Sequence, residues 1–307
     1  MTGNLTIDAL LTLGVHRLTG SAPRRGPLLT RSSRESPAPT TSDAAATHTL
    51  DAELLLAHAL GKTRTYLKTH PEHTPTDEQA RHYSELLDRR AAGEPIAYIV
   101  GFRDFWTLTL AVNPSVLVPR PETELLVERA LALGPAGAAA VVDLGTGSGA
   151  IALTLASERP EWAVTAVDIS ADALVTARAN AASLRLTRVE FLEGAWFAPL
   201  ENRRFQVIAS NPPYVSEGDD ALNDATLQYE PQLALASGPD GLAAIREIVH
   251  SAPDFLEPHG WLILEHGSDQ AGAVAHELVG RGFGHVRSHR DLAGHWRLTE
   301  AQWLPTP

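Results

Sequence analysis

From Ala140 onward the sequence alternates short apolar runs with helix-like runs, and this alternation restricts the chain to very few architectures. AVVDL (140–144), AVTAVD (163–168), VEFLE (189–193), FQVIAS (205–210) and WLILE (261–265) predict strands. Residues 150–158, 171–184, 241–256 and 269–281 predict helices, and two last strands fall near 284–290 and 295–300. Strands joined through helices lie parallel in one sheet, with helices covering both faces. The crossovers are right-handed by default.

The first third has a different pattern. Residues 4–19 carry apolar residues at helical spacing. Residues 20–48 are dominated by Gly, Ser, Pro, Thr, Ala and Arg, and predict a disordered insertion. Such a stretch buries too little apolar surface to offset its ordering entropy. Residues 51–60 predict a helix stopped at Gly61, and another opens at Thr76 and runs to Gly93. Residues 1–92 thus predict a small helical domain. From 94 to 118 the period changes to short β-prone runs around Asn113-Pro114, which predicts a β-hairpin linker over 93–120. Pro121 suits the first turn of a helix through Leu133, with Glu122 and Glu124 favourable at its N-terminus. Residues 121–307 then form the α/β domain.

Composition removes several classes of function. There is no cysteine, so disulfides, thiolate nucleophiles and cysteine zinc sites are excluded. No HExxH appears, and no metal site is expected. The apolar stretch Leu131–Leu144 is broken by Gly134, Pro135, Gly137 and Asp143 and is too short to span a bilayer. With no signal-peptide pattern at the start, the expected location is the cytoplasm. The net charge of −12 argues against nucleic acid as the main partner, since phosphate binding calls for a basic surface. Arg64, Lys68, Arg89 and Arg90 are candidates for docking a protein partner, or are a solvated helix face.

Two constellations carry chemistry. The strand AVVDL runs into Gly145-Thr146-Gly147-Ser148-Gly149 and then a helix. Glycines there permit a tight turn and let a ligand approach the backbone. The next strand ends in Asp168, a carboxylate able to accept hydrogen bonds from both hydroxyls of a ribose. No Lys-Ser/Thr pair follows the last glycine, which makes a phosphate-loop NTPase a poor match. This turn alone leaves open NAD, FAD or a purely structural role.

The second constellation narrows the choice. FQVIAS ends in Asn211-Pro212-Pro213-Tyr214. Two prolines fix the backbone and remove two N–H donors, which frees carbonyls for a ligand. Ligands in open α/β sheets bind at the carboxyl ends of strands. A carboxamide nitrogen is a poor nucleophile with two N–H donors. The Asn211 side-chain oxygen and the Pro212 backbone oxygen can accept both, which orients the nitrogen toward an electrophilic methyl. The Tyr214 ring can pack on the planar amide.

With these motifs in place the chain resembles the HemK/PrmC family of peptide chain release factor N5-glutamine methyltransferases over about residues 50–300. The resemblance rests on GEPIAYIVG (93–101), VPRPETE (118–124), DLGTGSGAIAL (143–153), AVDIS (166–170), NPPY (211–214), EP (230–231) and LEHG (264–267). It implies a helical substrate-recognition domain, a β-hairpin linker and a class I S-adenosylmethionine-dependent methyltransferase domain, Rossmann-like with an antiparallel last strand. It implies S-adenosylmethionine as cofactor, with S-adenosylhomocysteine as product, held by Gly145, Thr146, Gly147, Ser148, Gly149, Asp168, Trp196 and Asn211. The implied acceptor is the glutamine of the Gly-Gly-Gln motif of class 1 release factors, held by Asn211, Pro212, Pro213 and Tyr214, with Asn211, Pro212 and Tyr214 serving the chemistry. Ala195 departs from the family, which usually has Asp there, and removes one polar contact near the adenosine. The insertion at 20–48 is not a family feature. Alternative readings are methylation of a ribosomal-protein glutamine, N6-adenine methylation, and an idle adaptor that binds a translation factor.

Overall fold

The computed structural model describes residues 5–20 and 41–304. The chain divides into two compact units, residues 1–100 and 101–307.

The first unit contains α1 (Ile7–Gly20), α2 (Thr41–Leu60), α3 (Arg64–Thr69), α4 (Asp77–Ala91) and α5 (Ile96–Val100). Its core gathers Ile7, Leu10, Leu55, Leu56, Leu67, Tyr83, Leu86 and Leu87, apolar residues that recur at helical spacing. Thr76 opens α4 with a capping box: its hydroxyl accepts from the Gln79 N–H, and the Gln79 side chain accepts from the Thr76 N–H. Arg64 and Lys68 pair with Glu53, Arg89 with Glu94, and Arg90 with Asp51. These four cations thus share three carboxylates of their own unit.

Two expectations need correction here. Gly20 closes α1 and residues 41–48 form the start of α2, so the ends of the expected insertion are helical. Ala44-Ala45-Ala46 is a run of the strongest helix former, and propensity there overrides the low apolar content. Residues 21–40 of that insertion lie outside the described residues. Second, residues 96–100, expected in the linker, are the helix α5 and belong to the first unit. Pro95 stands just before it, where the missing N–H costs nothing.

The second unit opens with a hairpin, β1 (Phe102–Phe105) and β2 (Leu108–Ala111), paired in antiparallel register from Phe102 opposite Ala111 to Phe105 opposite Leu108. Its turn is Trp106-Thr107, not the expected Asn113-Pro114. Trp106 takes a left-handed φ of 56°. Its backbone N–H donates to Glu124 Oε1 and its indole N–H to Glu158 Oε1, which anchors the strained residue. Nor is the hairpin a free linker, because Phe105 and Leu110 lie in the unit's hydrophobic core.

A 3₁₀ turn (Pro121–Thr123) then leads into α6 (Glu124–Leu133), β3 (Ala140–Leu144), α7 (Ala150–Glu158), β4 (Ala163–Asp168), α8 (Ala171–Ser183), β5 (Glu190–Glu193) and β6 (Phe205–Ser210). After a segment of short 3₁₀ turns come α9 (Ala243–Ser251), β7 (Leu256–Glu265), α10 (Ala271–Gly280), β8 (Phe283–Arg290) and β9 (Trp296–Trp303). The helix expected to reach residue 256 stops at Ser251, followed by a 3₁₀ turn over Ala252–Asp254 that contains Pro253.

The strands form one seven-stranded sheet in the order β5-β4-β3-β6-β7-β9-β8. Neighbours from β5 to β7 run parallel, and β9 is antiparallel to both β7 and β8. Strand periodicity sends alternate residues to opposite faces. Val141, Val207 and Ile263 face the cluster that holds α6 and α7 side chains such as Leu126, Ile151 and Leu155. Val142, Leu144, Ile208, Leu262 and Leu264 face Ile245 and Ile248 of α9 and Val274 and Leu278 of α10. Burying each such side chain contributes about 1.5–3 kcal/mol.

One buried amide joins three of these elements. Asn180 of α8 accepts from the Ala111 N–H at 2.8 Å and donates to Ala111 O at 3.0 Å and Ser148 O at 2.9 Å. It ties the hairpin to the glycine turn after β3. Asn180→Ala would leave these backbone groups without partners, each costing about 1–3 kcal/mol. Urea unfolding should show at least that loss; an unchanged midpoint and slope would mean the tie contributes nothing.

Candidate active site

The sheet reverses direction of growth between β3 and β6. From β3 the chain winds outward to β4 and β5, and then returns to place β6 on the other side. Such a switch point leaves a crevice at the carboxyl ends of the strands. Leu144 and Ser210, the last residues of β3 and β6, are register partners, and the Ser210 hydroxyl donates to Leu144 O at 2.7 Å. The glycine turn and the Asn-Pro-Pro-Tyr segment therefore leave the sheet side by side.

A cavity of about 490 Å³ opens there. Its walls include Gly145, Gly147, Asp168, Trp196, Asn211 and Pro213. Gly145 and Gly147 have φ of 75° and 55°, a region that favours glycine, and the Gly145 and Thr146 N–H groups both donate to Val167 O. A Cβ on Gly147 would meet nothing within 4 Å, so this part of the turn faces open space. Trp196 holds a left-handed φ of 45° and packs against Gly145, where an added Cβ would come within 3.5 Å of the indole. Ala195 lines the wall beside it.

Asp168 sits where β4 ends. Its Oδ2 accepts from the Gly147 N–H at 2.8 Å and its Oδ1 from the Ser170 N–H at 2.9 Å. Burial raises its pKa, and the backbone donors at Ser170, Gly147 and Ile169 oppose that rise. Of about four acceptor positions on a carboxylate, the hydrogen bonds from Gly147 and Ser170 occupy two, which leaves capacity for two hydroxyls.

Other expected residues stand behind the wall. Thr146 is buried and donates to Asp143 Oδ2 at 2.6 Å. Ser148 gives its carbonyl to Asn180, and Gly149, at φ 87°, is the N-cap of α7. Pro212 is buried and Tyr214 turns away from the cavity, its hydroxyl 3.3 Å from Glu265 Oε1. Asn211 and Pro213 line the cavity, and the Asn211 amide also reaches back toward the buried group that holds the Tyr214 hydroxyl. Tyr214 is not among the residues that line this cavity, and its hydroxyl finds a partner in Glu265.

Sequence reasoning did not single out Ser115, Val116 and Leu117, or Leu233, Ser237 and Glu247, which complete the cavity. Its EP pair was a signal for part of this: Glu230 is buried, accepts from the Val118 N–H at 3.1 Å and pairs with Arg120. That carboxylate fastens the stretch before the 3₁₀ turn to the segment after Asn211–Tyr214. Two further buried acids were missed as such. Glu265 accepts from the Thr123 hydroxyl, and burial pushes it up to about 7. Asp143 accepts from Thr146 and the Ala152 N–H through Oδ2, while its buried Oδ1 has no partner, and burial pushes it up to about 7 as well.

The chain matches the family model of the PrmC N-terminal domain over residues 42–101 and that of the methyltransferase small domain over residues 121–228. It is 50% identical over 254 residues to the release factor glutamine methyltransferase of Pseudomonas aeruginosa, covering 83% of this chain and 92% of that one. Its identity to the namesake of Yersinia pestis is 50%, over 82% of this chain and 91% of that one. With the Escherichia coli K12 protein of the same name it is 43%, over 81% and 90%. Among solved structures, the hMettl16 catalytic domain in complex with the MAT2A 3'UTR hairpin 6 aligns with a TM-score of 0.56 at 16% identity, over 72% of this chain and 82% of that one. That likeness speaks for the fold alone. Fold and site together define a methyltransferase with a Rossmann-like sheet. The chain belongs to the release factor glutamine methyltransferase family. Among the described residues no helix is long and apolar enough to cross a membrane.

The Asp143 carboxyl gives a test of this turn's electrostatics. Its folded pKa is raised, so the folded state holds a proton that the unfolded chain releases above about pH 4. That contribution is complete below the unfolded value and is lost as pH rises through about 7. Asp143→Asn should therefore gain in melting temperature relative to wild type between pH 5 and pH 8.5. A gain of at least about 2 °C corresponds to ~1 kcal/mol in a chain of this size. An offset that does not change with pH would mean Asp143 is ionised throughout.

Proposed function

We propose that the protein transfers a methyl group from S-adenosylmethionine to the side-chain amide nitrogen of the glutamine in the Gly-Gly-Gln motif of class 1 release factors, in the cytoplasm. The observation that carries this reading is the convergence of the open glycine turn, the Asp168 carboxylate and Asn211 on one cavity at the switch point. Family membership supplies the acceptor class.

The residues present fit the methyl donor. Trp196 beside Gly145 offers an aromatic face for an adenine, Asp168 has acceptor capacity for both ribose hydroxyls, and the space over Gly147 admits a ligand against the backbone. The cavity lies in the ordinary range for a small-molecule site. When bound, the cofactor supplies an electrophilic methyl on a sulfonium sulfur. The chain's own task is to orient a weak nucleophile. Asn211 Oδ1 and the Pro212 carbonyl accept the two amide protons and turn the nitrogen toward the methyl. Alignment of this kind supplies up to about 7–11 kcal/mol. No strong general base is needed, since the proton leaves as the methyl arrives. Tyr214 is not assigned the stacking role expected from the sequence. Ala195 leaves the adenosine side of the wall without the polar contact that Asp would give.

Two variants separate binding from chemistry. Asp168→Ala should weaken S-adenosylmethionine and S-adenosylhomocysteine alike, by about 1.5–3 kcal/mol, the range for hydrogen bonds to a charged group; calorimetry checks it. Asn211→Ala should keep cofactor affinity and lose about 10²–10³ in kcat, as for loss of one preorganised electrostatic contact. A change in KM alone would make Asn211 a binding residue. Mass spectrometry of a release factor, a ribosomal protein and DNA after incubation with labelled donor identifies the acceptor, and label on either of the last two would overturn the proposal.

The helical first unit is assigned the recognition of the release factor's body. Arg64, Lys68 and Arg89 are exposed and paired with acids of the same unit, so a partner's carboxylates would compete with Glu53 and Glu94 for them. A chain limited to residues 101–307 should bind S-adenosylhomocysteine normally and methylate the full-length factor poorly. Equal kcat/KM for the two chains would remove the recognition role.

A further inference from the structure

Two sequence motifs are used neither by the glycine turn nor by Asn211–Tyr214: VPRPETE at 118–124 and LEHG at 264–267. The fold brings one residue of each behind Asn211. Thr123 ends the 3₁₀ turn before α6, and Glu265 ends β7. Both side chains are buried. Asn211 Nδ2 donates to Thr123 Oγ1 at 3.1 Å, and the Thr123 hydroxyl donates to Glu265 Oε2 at 2.7 Å. The Tyr214 hydroxyl approaches the other oxygen of the same carboxylate, at 3.3 Å.

The direction of this chain follows from counting protons. A threonine hydroxyl has one, and an ionised carboxylate has none. With its proton on Glu265, Thr123 presents only lone pairs toward Asn211. An amide nitrogen satisfies them; an amide oxygen would set lone pair against lone pair. The two ends of a carboxamide are nearly identical in shape, so only such neighbours decide which end faces which way. Above about pH 7, where Glu265 is ionised, it thus makes Thr123 an obligate acceptor, Nδ2 must face Thr123, and Oδ1 is left toward the cavity that Asn211 lines. A reversed amide would bring N–H groups against the N–H groups of the acceptor glutamine.

We propose that Thr123 and Glu265 are positioning residues for methyl transfer: the chain from Asn211 through Thr123 to the Glu265 carboxylate holds the Asn211 amide with its oxygen toward the acceptor nitrogen. The proposal rests on the reading that Asn211 accepts hydrogen bonds from that nitrogen. Neither Thr123 nor Glu265 touches the substrate.

Steady-state kinetics at pH 8.5, with the full chain, S-adenosylmethionine and a release factor, provide the test. Thr123→Val keeps the shape and removes the hydroxyl. It should lower kcat by about 10-fold to 10²-fold, as misorientation near a reacting group does, with acceptor KM and S-adenosylhomocysteine affinity within about threefold of wild type. Thr123→Ser should restore kcat to within about threefold. Glu265→Gln keeps an acceptor oxygen but adds an N–H₂ that can reverse the chain, and should fall between the two. In an Asn211→Ala background, Thr123→Val should cost nothing more, because its effect passes through Asn211. Wild-type kcat in Thr123→Val with an inactive Asn211→Ala overturns the positioning role. Full additivity of the two changes overturns it too. Wild-type kcat in Asn211→Ala overturns instead the underlying reading of Asn211. Should Thr123→Val fail to fold, Glu265→Gln in the same cycle decides by the same criteria.

Discussion

The parallel pairing of β3 with β6 sets everything else at the site. These strands are separated by more than sixty residues, yet their last residues, Leu144 and Ser210, stand in register. A slip by one position would exchange the two faces of a strand, sending residues such as Val142 and Leu144 from one core layer to the other. The hydrophobic layers therefore fix the register, and the register fixes the distance between the glycine turn and Asn211. Residues that do not line the cavity in this way determine how its two walls meet.

The site draws its remaining parts from segments far apart in sequence. The approach to α6 supplies Thr123, the end of β4 supplies Asp168, the stretch after β5 supplies Trp196, and the end of β7 supplies Glu265. Each lies at a carboxyl strand end or beside one. The arrangement places several carboxyls in a small volume, and burial keeps Asp143 and Glu265 from ionising freely. Backbone donors and hydroxyls rather than cations stabilise them, apart from Arg297 near Glu265.

Much of this was legible in the sequence, for physical reasons. The strands β3, β4 and β6 announce themselves because buried parallel strands must be apolar on both faces, and their ends carry Gly145, Asp168 and Asn211. What escaped is equally instructive. The start of α2 was hidden in a polar stretch whose composition resembles disorder, though its alanines favour helix. The hairpin turn at Trp106 could not be read, since an aromatic with positive φ has no local sequence signature and depends on Glu124 and Glu158. Thr123 and Glu265 looked like an ordinary helix start and an ordinary strand end; only their meeting across 142 positions gives them meaning. Likewise the seat of the Tyr214 hydroxyl beside Glu265 needed that partner to be seen.

The fastening of Glu230 to Arg120 and the Val118 N–H has a consequence for how the protein responds to its solution. The surface pairs Arg203–Glu190 and Arg246–Asp240 are open to water and weaken as ions accumulate around them. The Glu230 carboxylate is fully enclosed, beyond the reach of that ionic atmosphere. The cavity's two flanks, 115–117 on one side and 231–237 on the other, are therefore joined by a contact that ionic strength scarcely touches. Binding inside the cavity and encounter at the outer surface then have different sensitivities to salt. The first inherits the constancy of an interior clasp, and the second that of an open surface on a molecule carrying twelve excess negative charges.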